Sequence, residues 1–128
     1  MKEQLIFVYN ANGDLLSSVT DFAHKLLSPS TYQCHLCALT YGNFLIKQEW
    51  KSFIENLPVQ TLFLYKDEFE KQYRIETDLP TAFISANGAI REIITRQEIE
   101  SCQSLDELRN IVTEKLKKNV QHYHPNLQ

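Results

Sequence analysis

The stretch LPTAFISANGAIREIITRQE, residues 79–98, sets two apolar runs on either side of one dipeptide. Residues 81–85 and 89–95 have the short, β-former-rich character of strands, and Asn87-Gly88 between them is the pair that best tolerates the positive φ angles of a two-residue type I′ turn. The segment is therefore expected to form a β-hairpin. It runs into Thr95-Arg96-Gln97-Glu98, a capping box in which hydroxyl and carboxylate each satisfy an orphan amide at a helix start, and Ser104-Leu105-Asp106-Glu107 repeats the pattern. Two helices, short then long, are predicted after the hairpin. The long one carries Leu105, Leu108, Ile111, Val112 and Leu116 on one face, and Lys115, Lys117 and Lys118 near its end suit the negative pole of the helix dipole.

Upstream of the hairpin, Leu5-Ile6-Phe7-Val8-Tyr9 is a continuous apolar run of the kind found in a strand buried on both faces, ended by Asn10-Ala11-Asn12-Gly13. Leu15, Val19, Phe22, Ala23 and Leu26 recur at helical spacing before Ser28-Pro29, and Ile46, Trp50, Phe53, Ile54 and Leu57 do so before Pro58. Thr61-Leu62-Phe63-Leu64-Tyr65 is a second strand-like run, and Asp67 is the expected N-cap of a short helix with Phe69 and Tyr73 one turn apart. The order is βα(α)βαββα, an α/β class with a central mixed sheet and a C-terminal hairpin. No repeat, low-complexity tract or linker divides it, so one domain over 1–118 is expected, with an insertion at 28–45 and a tail at 119–128.

Composition limits the partners. A chain of 128 residues that is 43% hydrophobic can bury a core without covalent staples. The net charge of -3 and the dispersed Lys and Arg give no footprint for nucleic acid or for an anionic membrane. The apolar run near the start is too short for a signal segment or a membrane span, and a cytoplasmic location is the expectation. In a reducing compartment three cysteines are not a disulfide framework.

Two of those cysteines lie close together in STYQCHLCALTYG, residues 30–42. A redox dithiol needs one accessible thiol of lowered pKa and a second within reach, and a short helix starting near Tyr32 or Gln33 would set Cys34 in its first turn, with Cys37 to resolve it. A zinc or copper site needs further soft or imidazole ligands, for which His24 and His35, then Cys102, His122 or His124, are the candidates beside Cys34 and Cys37. Simple burial as small hydrophobes beside Leu36, Leu39 and Tyr41 is the third reading, and the favoured one for Cys102. Tyr32 and Tyr41 flank the pair, as gate or as packing. Asn10, Asn12 and Asp14 stand at a strand end where open α/β folds keep ligand sites, though a turn and helix cap built from residues that favour both is the favoured account.

With Leu79-Pro80-Thr81 opening the hairpin, the order of elements resembles the thioredoxin-like superfamily. The resemblance implies a three-layer sandwich and a cis bond before Pro80 beside the active site; a trans proline starting an edge strand is the alternative. It also implies a CxxC directly after the first strand, where this chain has Asn10 to Asp14 instead. The predicted helix over 15–26 runs down about 20 Å from the strand end, and the helix from Ile46 must descend again to a parallel second strand. Residues 29–44 therefore climb between them, carrying Cys34 and Cys37. More narrowly, Tyr32-x-Cys34-x-x-Cys37-x-Leu39-Thr40-Tyr41-Gly42 after His24-Lys25 resembles a group of short uncharacterised bacterial proteins, some labelled GTPase. This chain has no GxxxxGK[ST] phosphate loop to support that activity. The functional expectation is thiol–disulfide exchange with a protein or small thiol partner through Cys34 and Cys37, bordered by Pro80. Its rival is a non-enzymatic metal-binding or interaction domain with buried structural cysteines.

Overall fold

The computed structural model describes residues 3–10, 35–41 and 46–120. The predicted helix over 15–26, and Asn12, Asp14, His24, Tyr32, Cys34, His122 and His124, lie outside the described residues. Four strands, β1 (Gln4–Val8), β2 (Gln60–Leu64), β3 (Thr81–Ala86) and β4 (Ala89–Ile94), form one mixed sheet in the order β2-β1-β3-β4. β1 and β2 are parallel, with Val8 opposite Leu64, whereas β3 runs antiparallel to β1, with Val8 opposite Thr81. The helices are α1 (His35–Thr40), α2 (Gln48–Glu55), α3 (Lys66–Tyr73), α4 (Arg96–Ser101) and α5 (Leu105–Asn119). None of the described helices is long and apolar enough to cross a membrane.

Alternation along the strands divides the core between the two faces of the sheet. Leu5, Phe7 and Tyr9 of the first run join Ala82, Ile84 and Phe63 on one face, together with Leu36 and Cys37 of α1, Trp50 of α2, Ile99 of α4, and Leu108, Val112 and Leu116 of α5. Ile6 and Val8 point the other way, to Phe83 and to Phe69 and Tyr73 of α3. Each large apolar side chain fully buried in this way contributes ~1.5–3 kcal/mol. Phe7 is the hinge of the larger cluster, stacked on its register partner Phe63 at 5.3 Å and edge-on to Trp50 at 5.4 Å.

The hairpin forms as its turn chemistry dictates. Asn87 and Gly88 have φ of 55° and 83°, the two positive values of a type I′ turn. Near its far end, Ala82 pairs with Ile94 but Phe83 pairs with Glu92, so one extra residue bulges out of β4. That bulge explains why the consecutive Ile93 and Ile94 are both buried on the same side of the sheet. The Leu79–Pro80 peptide is cis, and Pro80 precedes an interior strand rather than an edge strand.

Both caps after the hairpin form, with one difference between them. Thr95 Oγ1 accepts from the Glu98 amide at 3.2 Å and the Glu98 carboxylate accepts from the Thr95 amide at 2.9 Å, completing a capping box. At the second, Ser104 accepts from the Glu107 amide, but the Glu107 carboxylate reaches one residue further back, to the Gln103 amide at 3.0 Å. Helix α3 departs from expectation at its start. Its N-cap is Tyr65 rather than Asp67, because Glu68 closes on the Tyr65 amide at 2.9 Å and leaves Asp67 inside the first turn.

Candidate functional site

The registers bring the ends of β1, β2 and β4 and the start of β3 to one edge of the sheet. Tyr9 and Tyr65 extend β1 and β2 by one residue each, and the Tyr9 amide donates to the Leu64 carbonyl at 2.9 Å, so their rings stand side by side at 5.9 Å. Tyr41 joins them, its ring 6.5 Å from that of Tyr9. The Tyr41 amide donates to the Cys37 carbonyl at 3.0 Å, so Cys37 lies one helical turn before Tyr41 on the same face of α1. Cys37 has 0% exposure and belongs to the same cluster as Tyr9, with Tyr41 and Tyr65 packed against it. Burial pushes the Tyr65 phenol above its ordinary pKa, and the negative forms of Tyr41, Glu68 and Cys37 add to the rise.

Pro80 opens β3 at this edge, next to the end of β1. The residue after it is tied to β4. The wholly buried Thr81 hydroxyl lies 2.6 Å from the Ile94 carbonyl and 2.5 Å from Oε2 of Glu92, and the Thr77 hydroxyl donates to that same carboxylate oxygen at 3.1 Å. On the α3 side of the edge, Asn10, Lys66, Glu70, Asp78, Leu79 and Arg96 line a cleft of about 240 Å³. A wider groove of about 500 Å³ between α2 and α5, around Phe53, Asp106 and Arg109, contains none of the candidate site residues named from the sequence.

His35 and Cys37 are two residues apart in α1 and so project about 200° apart around the helix. His35 faces α4. Its Nε2 donates to the Cys102 carbonyl at 2.7 Å. A carbonyl only accepts, so Nε2 carries the proton and Nδ1 is the nitrogen left for a ligand. Cys102 is buried at 1% exposure, with its thiol 3.4 Å from the Glu98 carbonyl. Burial pushes this thiol up, and the carboxylates of Glu107 and Glu98 reinforce the shift, as fits a packing cysteine. Behind it, Glu98 pairs with Lys115 of α5 at 2.7 Å. Burial works to raise the Glu98 pKa, but the Lys115 ammonium and the Thr95 bonds outweigh it and hold the carboxyl below its usual value. Among the described residues no group of three or more His, Cys, Asp or Glu is arranged to hold a metal ion.

Of the sequence candidates, then, Cys37, Tyr41, Asn10 and Pro80 come to one edge of the sheet, while His35 turns to Cys102 on the other side of α1. Tyr9 and Tyr65 were not singled out as candidates from the sequence. The signal was present: each is the last residue of one of two apolar runs, and two parallel strands in register bring equal positions together. Comparison with known proteins adds no assignment, since the chain matches no protein-family model and no curated protein or solved structure is significantly similar to it.

Proposed function

We infer that the chain is a thioredoxin-like domain whose Cys34 and Cys37 form a dithiol–disulfide couple, with Cys34 the accessible thiol and Cys37 the resolving one. The fold part of this reading is supported by the order β2-β1-β3-β4, by the parallel β1–β2 pair beside an antiparallel hairpin, and by helices on both faces. The observation that carries the functional part is the position of Cys37. It is fully buried in the cluster that also holds Tyr9, with Tyr41 and Tyr65 packed against that cluster, and Pro80 opens β3 next to the end of β1. A resolving thiol is best kept from solvent and within one turn of its partner.

In the proposed cycle the Cys34 thiolate attacks a disulfide of a partner protein or small thiol, forming a mixed disulfide and releasing one partner thiolate. The Cys37 thiolate then attacks Cys34 Sγ, which closes the Cys34–Cys37 bond and releases the second. The partner gains two electrons and two protons, and the dithiol loses them. The full burial of Cys37 also favours a second reading, a non-enzymatic domain with a structural cysteine or a zinc- or copper-binding pair.

One preparation separates the two. Protein purified under reducing conditions is assayed for bound metal, for thiols before and after mild oxidation, and, as Cys37→Ser, for a mixed disulfide with a mixed-disulfide reagent such as oxidised glutathione. The redox reading expects metal-free protein that loses two thiols on oxidation, and an adduct on Cys34 that the wild-type chain resolves. Stoichiometric zinc or copper, or three thiols that persist through oxidation, would overturn it.

A further inference from the structure

The cleft of about 240 Å³ on the α3 side of the sheet edge is lined mainly by charged and polar side chains. Four separate segments supply them: Asn10 follows β1, Lys66 and Glu70 stand one turn apart on α3, Glu76 and Asp78 lie in the stretch before β3, and Arg96 opens α4. The cleft sits beyond the carboxyl ends of the parallel strands β1 and β2, the place where open α/β sheets receive ligands. Its base is fixed on two sides. The Thr77 hydroxyl donates to Glu92 at 3.1 Å, and Leu79 is buried with Ile6, Val8, Phe69 and Phe83.

The charges are sorted by depth. Asn10, Lys66 and Arg96 are half-buried, whereas Glu70, Glu76 and Asp78 are exposed, so the positive groups sit deeper than the negative ones. Lys66 occupies the first position of α3, the positive pole of the helix dipole, where a base is disfavoured unless an anion meets it. Arg96 is oriented by Glu100, which accepts from its Nε at 2.9 Å and leaves the terminal nitrogens of the guanidinium for another acceptor. Among the described residues, the side chains of Lys66, Glu70 and Glu76 enter no ion pair or hydrogen bond. Opposite charges thus share one cleft without closing on each other. A bare anion would be repelled by the outer carboxylates and a bare amine by the inner cations, and a ligand that carries both charges answers both.

We propose that this cleft binds a small α-amino acid, with its carboxylate between Lys66 and Arg96 and its ammonium toward Glu70 and Glu76. The volume lies below the roughly 300–1,000 Å³ of sites for drug-sized molecules, which suits a ligand of few atoms. No cysteine lines the cleft, so binding here and thiol exchange stand or fall separately.

The test titrates the full chain, ¹⁵N-labelled and at neutral pH, with L-alanine, with propionate and with ethylammonium. Propionate is alanine without its ammonium, and ethylammonium is alanine without its carboxylate. Alanine is expected to shift the amides of residues 66, 70, 76–79 and 96 saturably with a midpoint below ~5 mM, and each half-ligand to bind about tenfold more weakly. Lys66→Gln, and separately the double change E70Q/E76Q, should each weaken alanine about tenfold, the loss of one charge-assisted contact. Lys71→Gln removes a lysine of α3 that does not line the cleft and should leave the midpoint unchanged. A midpoint above ~5 mM, propionate or ethylammonium binding as tightly as alanine, or a K71Q loss equal to that of K66Q would overturn the proposal. The dispersion of the same amide spectrum shows whether each variant is folded, and the comparison of the three ligands on the unaltered chain needs no variant.

Discussion

Thr81→Val removes one hydroxyl at the head of β3 and almost nothing else. The side chain has 0% exposure, and valine reproduces its branched shape, so no cavity opens. What disappears is a single proton shared between two acceptors, the Ile94 carbonyl at 2.6 Å and Glu92 Oε2 at 2.5 Å. Glu92 is exposed and keeps the Thr77 hydroxyl at 3.1 Å, so water replaces most of what it loses. The cost falls on the carbonyl at the β4 bulge, where a buried hydrogen bond is removed with only one partner replaced. Such a loss costs about 1–3 kcal/mol, and ~2 kcal/mol is the expected value. For a chain of this length that lowers the melting midpoint by roughly 8 °C. Urea titration followed by circular dichroism measures it, with Thr81→Ser as the companion, since serine keeps the hydroxyl and forfeits one methyl at ~0.8 kcal/mol. On an E92A background most of the valine penalty should persist. A T81V penalty under ~0.5 kcal/mol, or a T81S penalty as large as that of T81V, would refute the assignment of this hydroxyl as the tie between β3 and β4.

The remaining predictions concern the core, the turn and the α4–α5 junction. Trp50→Ala, at a wholly buried ring packed on Phe7 and Phe53, should cost ~3–5 kcal/mol in the same titration. Trp50→Phe should cost far less, because the buried indole Nε1 finds no hydrogen-bond partner among the described residues and its removal relieves a desolvated donor. Gly88→Ala meets no atom within 4 Å of the added Cβ but must hold a φ of +83°, so a penalty of ~1–2 kcal/mol from backbone strain alone is expected, and a neutral result would contradict the turn. Glu98 has a folded pKa below its ordinary value, so its contribution is complete above the unfolded carboxyl range near ~4.3 and is lost as pH falls through the folded value. Glu98→Gln should therefore flatten the acid side of the stability curve and leave its alkaline side unchanged. With a third of each side chain exposed, the effect stays within ~1 kcal/mol and shrinks in high salt; a salt-independent acid transition would count against the Lys115 pairing.

Much of the fold was legible because its signals are local. The turn at Asn87-Gly88, the Thr95 and Ser104 caps and the all-apolar run of β1 each depend on a few consecutive residues, and the backbone obeys them. The start of α3 was misread for a reason of the same scale. Asp67 is a good capping residue, and its carboxylate does accept from the Glu68 amide at 3.1 Å, but Glu68 reaches back to Tyr65 and starts the helix earlier. The bulge in β4 was not legible at all. Ile93-Ile94 fits an unbroken buried strand as well as a bulged one, and only the pairing with β3 chooses between them.

The candidate site shows where spacing stops being informative. Cys34, His35 and Cys37 are neighbours in sequence, and a ligand count made along the chain puts them in one set. The helix undoes that grouping. At about 100° per residue, α1 sends Cys37 toward the ends of β1 and β2 and His35 toward α4, where its Nε2 is committed to the Cys102 carbonyl. For both residues to hold one metal ion, His35 would have to bind through Nδ1 from the far side of the helix, or break the 2.7 Å bond that joins α1 to α4. The proposed redox role makes no such demand of His35. Tyr9 and Tyr65, which belong to or pack against the same cluster as Cys37, lie 28 positions before and after it in the chain. They meet because two parallel strands end in register, so the sequence signal for this end of the sheet was the matched ends of two apolar runs rather than the cysteine spacing.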